Sequence, residues 1–358
     1  MTVNKVRTAG RLDAPRPTTT DRRVRLVHWF AIVGVPILLW ETWTVIAWLA
    51  DGPHQITQFR HGHTVDWYGA RAFEGVAIVI AIAVLIEVVR GCIRAGKILT
   101  FDVMFCLCGA TLFWADVGSV NFFQPVVVMS SNWVNLNNTC GHMPFVVNPD
   151  CGRAPDPILF LWLIGTFGAL GGAMLLGALA RWAQGRWPRL TMGKVLGVVF
   201  LASMAMAAAE PLLVGLHLWS YPGAPFALPL GSGMAYPAFP ELIAFTLWFG
   251  ILAAVRIFRD DRGQTLVERG LERHSAGVRK AVTLLALYAV MQLVTWGPAG
   301  VPDIALGLYA RSWPKMPVQV VNNECDAPGI HGTRYGPCPG SPGYRMPGRH
   351  SRLPGQSP

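Results

Sequence analysis

Charged residues are scarce in this chain, and their scarcity excludes an ordinary soluble domain. Asp, Glu, Lys and Arg supply only 14% of the 358 residues, whereas soluble domains carry about 25%. Hydrophobic residues supply 52%, and 14 residues are Trp. This composition predicts a polytopic integral membrane protein.

Familiar catalytic and cofactor motifs are also missing. The sequence contains no G-x-S-x-G, H-E-x-x-H, P-loop or dinucleotide-binding pattern. His54, His61 and His63 have no partners at a known ligand spacing. A small-residue cleavage site is absent after the first apolar run, so we expect a retained helix and no secretory signal peptide. We expect no cofactor and no bound metal.

Long apolar runs predict an all-α fold, because about 20 apolar residues cross the hydrocarbon as a helix. The seven predicted spans are 26–49, 67–89, 101–118, 157–180, 192–216, 240–258 and 280–298. The third is the shortest. The predicted organisation is a basic N-terminal tail over 1–24, a helical bundle over 25–300 with a long outer loop at 119–156, and an irregular Gly- and Pro-rich segment over 301–358 whose last part we expect to be disordered.

The net charge of +10 reflects membrane topology, and nucleic-acid binding is not expected. Most of the 30 Lys and Arg residues lie in the N-terminal tail and in the loops after the second, fourth and sixth spans. The intervening loops hold only Arg60 and Arg153. This positive-inside pattern predicts a multi-pass protein of a bacterial plasma membrane, with its N-terminus in the cytoplasm and its C-terminal segment outside.

The cysteines agree with that topology. Cys140, Cys151, Cys325 and Cys338 all fall on the predicted outer side, where disulfides persist. Four cysteines permit three pairings. The two local bonds are Cys140–Cys151 and Cys325–Cys338.

Five carboxylates lie at a similar predicted depth, near the outer ends of five different helices. They are Glu41, Glu74, Asp116, Glu210 and Glu241. A charge at mid-membrane costs roughly 2.5–3.5 kcal/mol on insertion scales. We therefore predict that these groups face inward and form a polar chamber open to the outer side. The alternative is that they pair, cap helix ends or bind buried waters.

Two of these carboxylates have polar neighbours at helical spacing. Arg71 precedes Glu74 by one turn. Ser203, Glu210 and His217 recur every seven residues and so share one helix face.

The stretch "WADVGSVNFFQPVVVMSSNWVN" at 114–135 carries several side-chain amides among aromatic residues. We expect it to dip into the bundle, since non-helical backbone is tolerated at that depth only beside protein or water. Asn121, Gln124 and Asn132 would supply hydrogen bonds. Trp114, Phe122, Phe123 and Trp133 would form an apolar wall. The alternatives are surface turns for the Asn residues and interfacial anchors for the aromatic residues.

The same stretch resembles a known family. An aspartate near a helix end, then "NFFQP", "SNWVN", Cys-Gly and a Pro-bearing loop, is similar to the AveC-type spirocyclase family, as are "EPLL" at 210–213 and "GTRYGPCPG" in the tail. The resemblance extends over most of 26–345. That family is named for a membrane protein that closes a dihydroxy-ketone polyketide into a spiroketal.

The resemblance implies a cofactor-independent cyclase or dehydratase that works through an oxocarbenium ion. Carboxyl groups would supply acid and base, because clustering and burial can keep one of them protonated. Asp116 and Glu210 are the first candidates, in either order, followed by Glu41 and Glu74. Arg71 would hold Glu74 ionised. The further substrate-binding candidates are Asn121, Gln124, Asn132, Trp114, Phe123, Trp133, His217 and Glu241.

Other functions remain open from sequence alone. The same carboxylates would suit another acid-triggered membrane cyclase acting on a terpenoid or a lipid. A non-catalytic lipid-binding, small-molecule-binding or transport protein is the alternative, although the chain shows no internal repeat of the kind that transporters often have. The expected partners are a hydrophobic small molecule, polyketide or lipid-like, and membrane lipid. The oligomeric state is left open.

Overall fold

Helices dominate the structure, a computed structural model that describes residues 26–54, 65–122, 127–130, 132–147, 151, 155–221, 224–231 and 234–309. The α-helices are α1 (Leu26–Asp51), α2 (Val65–Ala95), α3 (Phe101–Gly109), α4 (Leu112–Asn121), α5 (Ile158–Leu163), α6 (Ala169–Arg186), α7 (Met192–Ala207), α8 (Glu210–Gly215), α9 (Ala238–Ile257), α10 (Ala276–Val294) and α11 (Val301–Tyr309). The predicted all-α bundle is confirmed.

Six helical stretches among the described residues are long and apolar enough to cross a membrane. They are Leu26–Asp51, Val65–Ala95, Ile158–Arg186, Met192–Gly215, Ala238–Ile257 and Ala276–Tyr309. Each matches one of the predicted spans. The remaining predicted span, 101–118, instead forms the short helices α3 and α4, which meet at Ala110 and Thr111.

The last span continues past residue 300, where the sequence analysis ended the bundle. A π-helical segment at Thr295–Gly300 leads directly into α11. Residues 301–309 are thus helical, although the sequence predicted an irregular segment from 301. The rest of that segment, with Cys325 and Cys338, lies outside the described residues, as does the N-terminal tail.

Small residues let the helices approach closely. α1 packs along α10, and a Cβ atom at Gly34 would lie only 2.6 Å from the carbonyl oxygen of Leu285. α2 turns one buried stripe inward, at intervals of three or four residues as a helix requires. That stripe is Ala70, Glu74, Ala77, Ala81, Val84 and Val88.

Three irregular points interrupt the long helices. The span that starts at Ile158 passes through a π-helical segment at Ile164–Gly168, and the last span contains the second at Thr295–Gly300. The third point lies between α7 and α8, at Ala208 and Ala209. Pro211 follows the new start at Glu210, where a proline is tolerated because its missing N–H would have had no partner.

A cap covers one end of the bundle, and we define it as the described residues between 127 and 156 and between 216 and 237. Its short strands are β1 (Val128–Met129), β2 (Leu136–Asn137), β3 (Pro155–Asp156), β4 (Trp219–Ser220), β5 (Leu228–Pro229) and β6 (Ala235–Tyr236). The antiparallel pairs are β1 with β4, β2 with β3, and β5 with β6. A disulfide joins Cys140 to Cys151, one of the local bonds that the sequence allows.

Candidate functional site

A cavity of about 340 Å³ lies inside the bundle beneath the cap. Its size is at the lower end of the range for small-molecule sites. Most of its wall is apolar, with aromatic side chains from α2, α4, α5 and α9, whereas the sequence predicted a polar chamber. These aromatic residues are Phe73, Phe113, Phe160, Phe245, Trp248 and Phe249.

All three irregular points of the helices border this cavity. Gly165 belongs to the first π-helical segment, Thr295 to the second, and Ala209 to the break before α8, and all three residues line the wall. Short π-helical segments inside α-helices occur frequently at functional sites. Their convergence here distinguishes this cavity from a simple packing gap.

Glu210 occupies one side of the cavity and is held there by three aromatic donors. The Tyr221 hydroxyl donates to Oε1 at 2.5 Å, and the Tyr236 hydroxyl donates to Oε2 at 2.9 Å. The Trp219 indole N–H also donates to Oε1, at 3.2 Å. Hydrogen bonds to a carboxylate favour its charged form. The arrangement therefore suits an ionised Glu210.

The two tyrosines remain protonated donors. Both hydroxyls are buried, and burial together with the nearby charge of Glu210 raises the pKa of Tyr221 and of Tyr236 well above the ordinary value. Neither phenol therefore loses its proton near neutral pH. Both can keep donating to the carboxylate.

Glu241 and Asp303 supply two more carboxyl groups to the same cavity. Both side chains are buried, and they hydrogen-bond to each other. A hydrogen bond between two carboxyl groups requires that one of them carry a proton. Tyr221 also hydrogen-bonds to Glu241 and so connects this pair to Glu210.

Asp303 was missed by the sequence analysis, which ended the bundle at residue 300. The sequence did indicate that the last helix continues, since "VPDIALGLY" at 301–309 extends the apolar run and contains one acidic residue. Pro298 and Pro302 concealed the continuation, because prolines usually end a helix. The π-helical segment accommodates Pro298 and lets the helix resume.

The structure places Glu41 and Glu74 elsewhere, each with its own partners. Glu41 is buried and accepts a hydrogen bond of 2.6 Å from the Tyr288 hydroxyl. Glu74 forms an ion pair of 2.7 Å with Arg71 and accepts the backbone N–H of Val134 at 2.9 Å. Neither is among the residues that line the cavity. The single shared chamber therefore holds Glu210 and Glu241 but not these two.

The other predicted residues are divided between the cap and the bundle. Trp133 is buried in the cap and stacks on Phe160, with 4.6 Å between ring centroids. The backbone oxygen of Asn132 accepts from Arg71. His217 pairs with Asp66 across 3.3 Å between Nδ1 and Oδ1.

Trp114 packs inside the bundle, with its ring centroid 5.1 Å from that of Trp40 and 5.8 Å from that of Trp296. Asp116 and Asn121 lie on α4, and their side chains are outside the described part of the structure. Phe123 and Gln124 fall outside it entirely. The roles predicted for these four residues stay predictions.

Arg71 links α2 to the cap, so its removal is expected to lower stability. In Arg71→Met, the buried Glu74 carboxylate keeps the Val134 N–H but loses its counter-charge, and Asn132 loses a donor. We expect a loss of about 1–3 kcal/mol. Thermal unfolding of the detergent-solubilised protein measures it. Arg94→Met, at the exposed far end of α2, is the control, and equal unfolding temperatures for the two variants would contradict this role.

Comparison with known proteins gives one match. Residues 97–300, more than half of the chain, match the family model described as Spirocyclase AveC-like. Neither a curated protein nor a solved structure matches the chain. The matched range includes Glu210 and Glu241 and ends just before Asp303. The match suggests a cyclase-type activity.

Proposed function

The chain belongs to the spirocyclase AveC-like family, and from that premise we propose that it is a membrane-embedded, cofactor-independent cyclase that closes a dihydroxy ketone into a spiroketal. Its substrate is a hydrophobic polyketide or lipid-like molecule. The reaction takes place in the cavity beneath the cap. Following the charge distribution of the loops, the N-terminus lies in the cytoplasm and the cap faces the other side of the membrane.

One observation carries this proposal, which is that three carboxyl groups of two different kinds meet in one apolar cavity. Glu210 has three hydrogen-bond donors and suits the ionised form. Glu241 and Asp303 are buried next to each other, and because two neighbouring buried carboxylates are costly to ionise together, we infer that the pair shares a proton. A base and an acid thus share the same small volume.

Spiroketal formation needs both an acid and a base. One substrate hydroxyl first adds to the ketone, and its proton passes to the former ketone oxygen to give a hemiketal. The hemiketal hydroxyl then takes a proton from the Glu241–Asp303 pair and leaves as water. The oxocarbenium ion that remains is captured by the second hydroxyl, whose proton goes to Glu210. Proton transfer from Glu210 back to the pair, through Tyr221 or the released water, restores the starting state.

The cavity walls contribute to catalysis in three ways. Trp219 and Trp248 line the cavity, and an aromatic ring stabilises a cation that lies over its face. Apolar walls keep bulk water away, so that the second hydroxyl captures the oxocarbenium ion before water does. Holding the flexible substrate in one conformation brings its reacting groups together, which accelerates the reaction, and determines the configuration of the spiro carbon.

A symmetric dihydroxy ketone, with four methylenes on each side of the carbonyl, tests the proposal. Its spiroketal is chiral, and the uncatalysed product is racemic. Purified protein in lipid vesicles is expected to accelerate its formation and to give one enantiomer in excess, measured by chiral gas chromatography. Racemic product at the background rate would contradict the proposal. Saturable binding without conversion would instead identify a ligand-binding protein.

A further inference from the structure

Described residues of the cap line one side of the cavity. Met129, Trp219 and Tyr221, from β1 and β4 and the residue after β4, form its roof. Trp219 and Tyr221 are buried. Access through this described part of the cap would require the buried Trp219 and Tyr221 to move.

The side wall, in contrast, is open between α2 and the break that precedes α8. Val76 lines the cavity and yet is 51% exposed, and Ala209 lines it and is also exposed. Their neighbours Val79 and Ala208 are exposed but do not line it. Val76 and Ala209 therefore lie on the border between the cavity wall and the outer surface of the bundle.

Packing toward the cap closes this opening at one end. Ala70 of α2 and Leu218, just after α8, belong to one buried cluster. A contact of 3.3 Å between Nδ1 of His217 and Oδ1 of Asp66 joins the same two segments. The two walls are thus fixed to each other above the opening.

α6 closes the other end. A Cβ atom at Gly171 would lie 3.0 Å from Cγ2 of Val84 on α2, and one at Gly172 would lie 3.6 Å from Cε of Met206 on α7. α6 therefore touches both walls below the opening. Between these two ends, an opening remains in the side wall between α2 and the break before α8, and we call this opening the window.

We propose that this window between Val76 and Ala209 is a lateral portal, through which the substrate reaches the cavity from the hydrocarbon of the bilayer. The inference rests on the proposed function, because it assigns the route by which that substrate arrives. Both portal residues are apolar, and so is most of the cavity wall. The substrate therefore carries a hydrophobic chain that remains among the lipid tails while its hydroxyl and ketone groups reach the carboxyl groups.

A photoreactive lipid probe tests the portal without any need for turnover. The probe is a long-chain fatty alcohol with a diazirine on a carbon close to its hydroxyl group, dissolved in phosphatidylcholine vesicles that contain the protein. We expect labelling of Leu112 and Trp248, which line the cavity but are buried from lipid, as read by mass spectrometry. Val76→Trp and Ala209→Trp place an indole ring in the window, and each is expected to abolish that labelling.

Val79→Trp and Ala205→Trp are the matched controls, because they add the same ring to exposed positions one helical turn away that do not line the cavity. Labelling retained in the controls and lost in either folded portal variant supports the proposal. Labelling that persists in the portal variants, or that disappears in the controls as well, overturns it.

The dihydroxy ketone separates this proposal from the proposed function. A version with a long alkyl chain on one carbinol carbon is expected to lose turnover in the two portal variants and to keep it in the two controls. If wild-type protein converts no ketone while the labelling pattern holds, the cyclase proposal fails and the portal stands. If turnover is normal and the portal variants affect neither readout, the portal fails and the cyclase stands.

Discussion

Replacing Glu210 by Gln is expected to slow spiroketal formation by about 10²–10⁴-fold, the usual contribution of a positioned acid or base. The amide has nearly the shape of the carboxylate, and its oxygen can still accept from Tyr221 and Trp219. It has no negative charge with which to stabilise the oxocarbenium ion and takes no proton from the second hydroxyl. The rate with the symmetric dihydroxy ketone measures the loss.

Two further variants make the test specific to the cavity. Glu87→Gln removes an exposed carboxylate that pairs with Arg90 at the far end of α2, and it is expected to leave the rate unchanged. Tyr236→Phe removes one of the donors to Glu210, so it should lower the rate less than Glu210→Gln does. Wild-type rate and wild-type enantiomeric excess in Glu210→Gln would remove Glu210 from the mechanism.

Much of the fold could be predicted from the sequence, because a helix needs about 20 consecutive apolar residues to cross the bilayer. Six spans lie where hydropathy predicts them. The exception, 101–118, is broken by Ala110 and Thr111, and the Thr111 hydroxyl bonds to the carbonyl of Cys108 at 2.8 Å. A break of this kind depends on packing against other helices, which hydropathy does not report.

The site was only partly predictable, because depth along a helix does not fix direction around it. Glu41, Glu74 and Glu210 were selected by depth, and all three are buried. Of these three, only Glu210 lines the cavity, and it directly follows the helix break at Ala208 and Ala209. Arg71, the partner of Glu74, was identified from helical spacing, whereas Tyr288, the partner of Glu41, lies on a helix distant in the sequence and was not.

The cap illustrates a second limit. Its strands have two residues each, too short for a periodic pattern in the sequence. The donors that hold Glu210 belong to these strands and to the residue after β4, so the setting of the carboxylate depends on loop structure. The sequence shows how far Trp219 and Tyr221 lie from Glu210 along the chain, but that spacing does not predict that their side chains contact Glu210. The contact depends on the position of β4, which pairs with β1.

The Glu241–Asp303 pair yields a prediction of comparable size. Asp303→Asn keeps a hydrogen bond, because its amide donates to the Glu241 carboxylate, but it removes the proton that the two groups share. Glu241→Gln does the same from the other side. Each variant is expected to fold and to slow the reaction by about 10²–10⁴-fold, because no acid remains to help water leave.

The double variant distinguishes a shared acid from two separate contributions. If the pair acts as one acid, Glu241→Gln combined with Asp303→Asn should be no slower than either single variant, since residues that act as a unit are strongly non-additive. Asp261→Asn, in an exposed loop, is the control. A double variant whose loss equals the product of the two single losses would show that the two carboxyl groups act independently, and the acid would then have to be assigned to one of them alone.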